Sequence, residues 1–178
     1  MNYFIQFLTY LRIFIAPVIF LLITPFNFFG LALFLFVLAG ISDYWDGFLA
    51  RKYKLESIIG AVLDPIADKI LITFVIIALS IELNSFFIGF FGGIILIREF
   101  WVGALRELNA RYANQNATRV SKLAKIKTAI QFFALSGFLL GLYLNNSLVV
   151  FISNFLLFLA LIITLQTGLS YTIATFKK

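Results

Sequence analysis

Long apolar runs separated by short polar breaks set the pattern of this chain. The first run spans Leu11 to Ile23, with Pro17 as a point for a kink, and Thr24-Pro25-Phe26-Asn27 breaks it. Further runs of membrane-spanning length cover Leu31 to about Lys52 and Ser57 to Leu83. A fourth begins after Asn84 and Ser85, which suit helix caps, and reaches about Leu108. A polar segment, Asn109 to Lys125, precedes a fifth run from Ile126 to Leu144. Asn145-Asn146-Ser147 then turns the chain into a sixth, which ends near Phe176. Ahead of the first run, Met1 to Tyr10 mixes aromatic and polar residues and suits a short amphipathic helix along an interface. The expectation is an all-α polytopic membrane protein, six transmembrane helices with a short N-terminal interfacial helix, in a single domain over residues 1–178. With no basic leader or small-residue cleavage site, the first run is expected to be retained as a span.

Composition agrees with a membrane protein. Hydrophobic residues make up 62% of the chain and charged ones 12%, well outside the range of soluble domains. Cys is absent, which excludes disulfides and thiol chemistry. Charge then orients the helices. With six spans, all 14 Lys and Arg lie on or near one side: Arg12, Arg51 to Lys54 with Lys69, Arg98 to Lys127, and Lys177-Lys178. The opposite connections, around Asn27, Asn84 and Asn145, carry only Glu82 among charged residues. By the positive-inside rule both termini are expected in the cytoplasm. The net charge of +6 suits anionic lipid head groups, and no nucleic-acid partner is expected.

Against this apolar background four carboxylates stand out. Asp43 and Asp46 are three apart, Asp64 and Asp68 four apart, so each pair projects from a single helix face. Gly47 and Ala50 share the face of the first pair, and Gly60 that of the second, taking about 100° per residue. Topology puts both pairs just below the cytoplasmic surface, at similar depth. A lone acid in such a helix is often a structural ion-pair partner. Four acids facing only Arg51 and Lys69 exceed what local cations neutralise, and like charges repel strongly in a poorly solvated site. Divalent cations are the expected neutralisers. With no His and no Cys in the chain, oxygen donors favour magnesium, manganese or calcium over zinc.

A second group of charges occupies the same end. Arg98, Glu99, Arg106 and Glu107 lie on the fourth run, and Arg119, Lys122, Lys125 and Lys127 follow. Arg111, Arg119 and Lys122 read as orientation signals. Arg98 and Arg106 lie within apolar helix and need partners. Glu99 and Arg106, seven apart, share a face and are expected to pair. The remaining cations, with Lys125 and Lys127, suit a phosphate-binding pocket, since guanidinium meets phosphate oxygens two at a time.

The acidic spacing, Asp43-x2-Asp46-Gly47-x2-Ala50-Arg51-x8-Gly60-x3-Asp64-x3-Asp68, resembles the signature of the CDP-alcohol phosphatidyltransferases at every fixed position. The stretches around Arg98-Glu99, Ala104 to Glu107 and Lys125 to Gln131 are similar to the bacterial phosphatidylglycerophosphate synthases of that family. With Thr9-x2-Arg12 and Leu165 to Tyr171, the likeness covers nearly the whole chain, although no Pro-Asn pair precedes Thr9.

The resemblance implies a bacterial inner-membrane enzyme with a cytoplasmic active site that moves a phosphatidyl group from CDP-diacylglycerol to glycerol 3-phosphate and releases CMP. It implies two metal ions, Mg2+ or Mn2+, on Asp43, Asp46, Asp64 and Asp68, with Asp68 as ligand or general base. Gly47, Ala50, Arg51 and Gly60 would receive CDP-diacylglycerol, and Arg98, Arg106, Lys125 and Lys127 the acceptor phosphate. Small residues at helix contacts explain Ala50 and Gly60 equally well. Membrane lipids are further partners, and a homodimer is allowed. Rival expectations are a sibling enzyme using inositol phosphate, serine or phosphatidylglycerol and, remotely, a cation transporter. Transport fits poorly, since every acid except Glu82 lies in the cytoplasmic half.

Overall fold

Three tight turns, each built on an asparagine, reverse the chain at one end of a helical bundle. Asn27, Asn84 and Asn145 have φ of 55°, 44° and 49°, the left-handed region that a short amide tolerates better than most side chains. Every expected break at this end is therefore present, and each uses the same device. The computed structural model describes residues 2–53, 58–112, 118 and 121–177. Within these, the side chains of 2–6, 44, 46–53, 58, 59, 61 and 62 lie outside the description.

The described residues form helices and no strand. In chain order they are α1 (Asn2–Ile23), α2 (Phe29–Tyr53), α3 (Ile58–Glu82), α4 (Phe86–Arg111), α5 (Lys122–Tyr143) and α6 (Ser147–Phe176). Caps fix the starts of the last three. Ser85 accepts from Ile88 N–H, Ser121 from Ala124 N–H, and Asn146 from Leu148 and Val149 N–H. The separate interfacial helix expected over Met1 to Tyr10 is not formed as its own element. No Gly or Pro interrupts residues 2–16, so α1 runs on unbroken into the apolar run and through Pro17. The polar segment before the fifth run is also shorter than expected. Its ends carry helix formers and a serine cap, so α4 reaches Arg111 and α5 starts at Lys122.

One apolar core draws on all six helices, with Ala16 and Ile19 of α1, Phe36 of α2, Val75 and Leu79 of α3, Ile95 of α4, Phe138 of α5 and Leu157 of α6. The principal contacts are α1 with α2 and α3, α6 with α4 and α5, α2 with α5, and α3 with α4. Many large apolar side chains also lie on the outside. Phe14, Phe34, Phe86, Ile97, Phe133 and Phe151 all point outward, a surface suited to lipid rather than water. By length and composition α4, α5 and α6 are able to cross a membrane, while the apolar stretches Phe7–Ile23 and Phe29–Asp43 are shorter. The chain is a helical membrane protein.

Candidate active site

The acidic residues are gathered by α1. Thr9 and Arg12 are three apart on that helix and so share one face, which meets α2 and α3. Arg12 is 1% exposed, and its Nη1 donates to Asp43 Oδ1 and Asp68 Oδ1, each at 2.8 Å. Thr9 Oγ1 donates to Asp64 Oδ1 at 2.7 Å. Three carboxylates from two helices are thereby fastened to two side chains of a third. The Asp43 and Asp68 side chains remain 44% and 47% exposed. The cation thus lies beneath while the carboxylates reach the open face.

These contacts change the charge count. Arg12 entered the sequence reading as an orientation signal and as part of the Thr9-x2-Arg12 likeness, with no role in the acidic group, yet it neutralises part of that group. Lys69, expected to face the acids, turns instead toward α4, with its ammonium 5.0 Å from the Phe100 ring centroid. A guanidinium alone in an apolar helix, one turn after a threonine, was the signal available in the sequence. Asp46, Gly47, Ala50 and Arg51 lie on α2 beyond Asp43, with their side chains outside the described residues. Gly60 is buried at the start of α3.

The chemistry of these donors is of the type that a hard divalent cation takes. All are carboxylate oxygens, and two already converge on one positively charged nitrogen. Among the described residues no three acidic groups cluster closely enough to enclose a metal ion, and Asp46 contributes no described side chain. On this chain Asp43, Asp64 and Asp68, with Asp46 three residues beyond Asp43, are the groups that would hold one.

The second charged group forms a buried network among α4, α5 and α6. Glu99 accepts from Arg98 Nη1 at 3.1 Å and from Lys127 Nζ. Arg98 also donates from Nε to the Thr164 carbonyl at 3.0 Å and from Nη2 to Thr167 Oγ1 at 2.6 Å. Gly168 leaves room for its stem, since a Cβ there would meet Arg98 Cγ at 3.0 Å. The expected Glu99–Arg106 pair is absent among the described residues. Lys127 approaches from α5 and Arg98 turns toward α6, and together they occupy the carboxylate. Arg106 and Lys125 are exposed, and Arg106 has no ion pair among the described residues. Glu107 pairs with Arg111. The four expected cations therefore divide into two buried, Arg98 and Lys127, and two exposed, Arg106 and Lys125. Tyr171 ties the same end together by accepting from Ser121 N–H at 3.0 Å.

Comparison with known proteins identifies the family. Residues 5–166 match the profile of a family described as CDP-alcohol phosphatidyltransferase. The chain is 42% identical over 174 residues to a CDP-diacylglycerol–glycerol-3-phosphate 3-phosphatidyltransferase of Rickettsia felis, covering 93% of this chain and 91% of the relative. The protein of the same name from Rickettsia typhi is 41% identical, covering 93% of both chains. The one from Shigella flexneri is 32% identical over 167 residues, covering 92% of this chain and 90% of its own.

Proposed function

The chain belongs to the CDP-alcohol phosphatidyltransferase family, and on that premise we propose that it transfers the phosphatidyl group of CDP-diacylglycerol to glycerol 3-phosphate. The products are phosphatidylglycerophosphate and CMP. The observation that carries the reading is the convergence of Asp43, Asp64 and Asp68 on Thr9 and Arg12. It brings the acids of two helices to one open face.

The acceptor hydroxyl attacks the phosphorus that bears diacylglycerol, the bond from that phosphorus to the CMP oxygen breaks, and CMP departs. Asp68 takes the hydroxyl proton. Asp43, Asp46, Asp64 and Asp68 are the residues that would hold two divalent ions, Mg2+ or Mn2+, and such ions would supply charge neutralisation on the pyrophosphate. Arg12 sets the spacing of Asp43 and Asp68 from below, and Thr9 fixes the rotamer of Asp64. Gly47, Ala50 and Gly60 admit the nucleotide close to the backbone, and Arg51 offsets phosphate charge.

The acceptor phosphate lies against the other charged group. Among the described residues Glu99 alone offsets Arg98 and Lys127, and Arg106 and Lys125 form no ion pair with it. That surplus of positive charge suits a phosphorylated alcohol. Arg106 and Lys125 meet the phosphate from the open side, with Arg98 and Lys127 supporting it from within.

For topology we propose six spans with both termini and the active site at the cytoplasmic face of a bacterial inner membrane. The support is that the end with the three asparagine turns carries no Lys or Arg. Purified protein given CDP-diacylglycerol, glycerol 3-phosphate and magnesium should yield phosphatidylglycerophosphate by mass spectrometry. Absence of that lipid while the protein remains folded would defeat the assignment.

A further inference from the structure

Lys69 follows Asp68 in sequence but serves a different surface. Neighbouring residues on a helix point about 100° apart. Asp68 turns to Arg12 of α1, whereas Lys69 turns to α4 and sets its ammonium over Phe100. Gly103 on α4 makes the room, since a Cβ there would meet Lys69 Nζ at 3.2 Å. Among the described residues Lys69 has no ion pair. An unpaired cation within an apolar helix is costly and calls for an anion.

Beside it runs a groove of about 370 Å3, lined by Ile66, Lys69, Ile70, Thr73, Phe74 and Phe100. Thr73 lends it no polarity, because its hydroxyl donates to the Lys69 carbonyl at 2.6 Å. Lys69 lies about 16 Å from the start of α3, at about 1.5 Å per residue. Ile70, Thr73 and Phe74 lie further along α3, on the side away from its start. The groove therefore offers one cation at its head and hydrocarbon along its length. That is the polarity of a phospholipid, with phosphate at the head and an acyl chain inward.

We propose that this groove binds a resident anionic phospholipid of the bilayer, its phosphate on Lys69 and one acyl chain along Ile70 and Phe74. The occupant is not the lipid donor. The acids that serve the donor's pyrophosphate face α1, and Lys69 faces the opposite neighbour of α3. The inference rests on the membrane reading, and its first readout, lipid retention, needs no turnover.

The test is native mass spectrometry of the full chain titrated with dioleoylphosphatidylglycerol or dioleoylphosphatidylcholine. The wild type should retain the anionic lipid in preference to the zwitterionic one. Lys69→Met should weaken that retention about tenfold or more, the loss expected of one charge-assisted contact. Lys69→Arg should keep it, and Ile70→Trp, which fills the slot, should lose it. KM for CDP-diacylglycerol should be unchanged in all three. Equal retention by wild type and Lys69→Met overturns the proposal. So does a raised donor KM with unchanged lipid retention, which would assign the groove to the donor. If Lys69→Met fails to fold, Ile70→Trp decides: retention of the anionic lipid by that variant overturns the proposal.

Discussion

Arg12 and Asp68 meet at 2.8 Å, and the nitrogen that joins them also lies 2.8 Å from Asp43. A buried cation on α1 thereby spans carboxylates from α2 and α3. Arg12→Met should cut CMP release at least about tenfold at saturating substrates, since charge-assisted bonds of about 1.5–3 kcal/mol are lost. The melting temperature should fall only modestly. Breaking a wholly buried pair costs about 3–5 kcal/mol, but water reaches both of these carboxylates and softens the loss. Arg12→Lys should recover part of the rate. A variant that melts early yet turns over normally would reduce Arg12 to a structural tie.

Asp64→Asn and Asp68→Asn test the acids directly. Each keeps the side-chain shape and removes a charge, so the protein should insert and fold while turnover nearly disappears. EDTA should abolish the wild-type reaction, and added Mg2+ or Mn2+ should restore it. Turnover that persists in EDTA would exclude the proposed metal centre.

The two arginines of α4 should separate by phenotype. Arg98 is buried and tied to Thr164, Thr167 and Glu99, so Arg98→Ala should lower stability by roughly 3 kcal/mol or more. Arg106 is exposed and has no ion pair among the described residues. Arg106→Ala should leave stability alone and raise KM for glycerol 3-phosphate roughly ten- to hundredfold, with donor KM unchanged. Thermal unfolding beside steady-state kinetics, varying each substrate in turn, checks both outcomes.

The sequence revealed the bundle well because its determinants are local. Apolar runs bounded by Thr24 to Asn27, by Asn84-Ser85 and by Asn145 to Ser147 mark helices and turns without any tertiary knowledge. The acidic face was legible for the same reason, since helical spacing alone aligns Asp64 with Asp68. The role of Arg12 was not. Its partners lie 31 and 56 residues away, and nothing near it in the chain identifies them. The choice of Lys127 rather than Arg106 by Glu99 depends likewise on how α5 packs beside α4. The separate interfacial helix was expected from the mixed aromatic and polar composition of Met1 to Tyr10, but composition alone does not interrupt helical hydrogen bonding, and α1 runs through.

Topology yields a separate prediction. A reporter fused after Lys178 should signal from the cytoplasm, because the Lys and Arg residues gather at the end where α6 finishes. A periplasmic signal from that fusion would place the acidic site on the wrong side for a cytosolic acceptor.

The central claim, phosphatidyl transfer to glycerol 3-phosphate, is tested most directly by an acceptor panel. Purified protein with CDP-diacylglycerol and magnesium would be offered glycerol 3-phosphate, inositol phosphate, serine and phosphatidylglycerol in turn, with CMP release measured for each. The account predicts CMP with glycerol 3-phosphate far above the other three. Faster release with any of the others, from protein of unchanged stability, would contradict it.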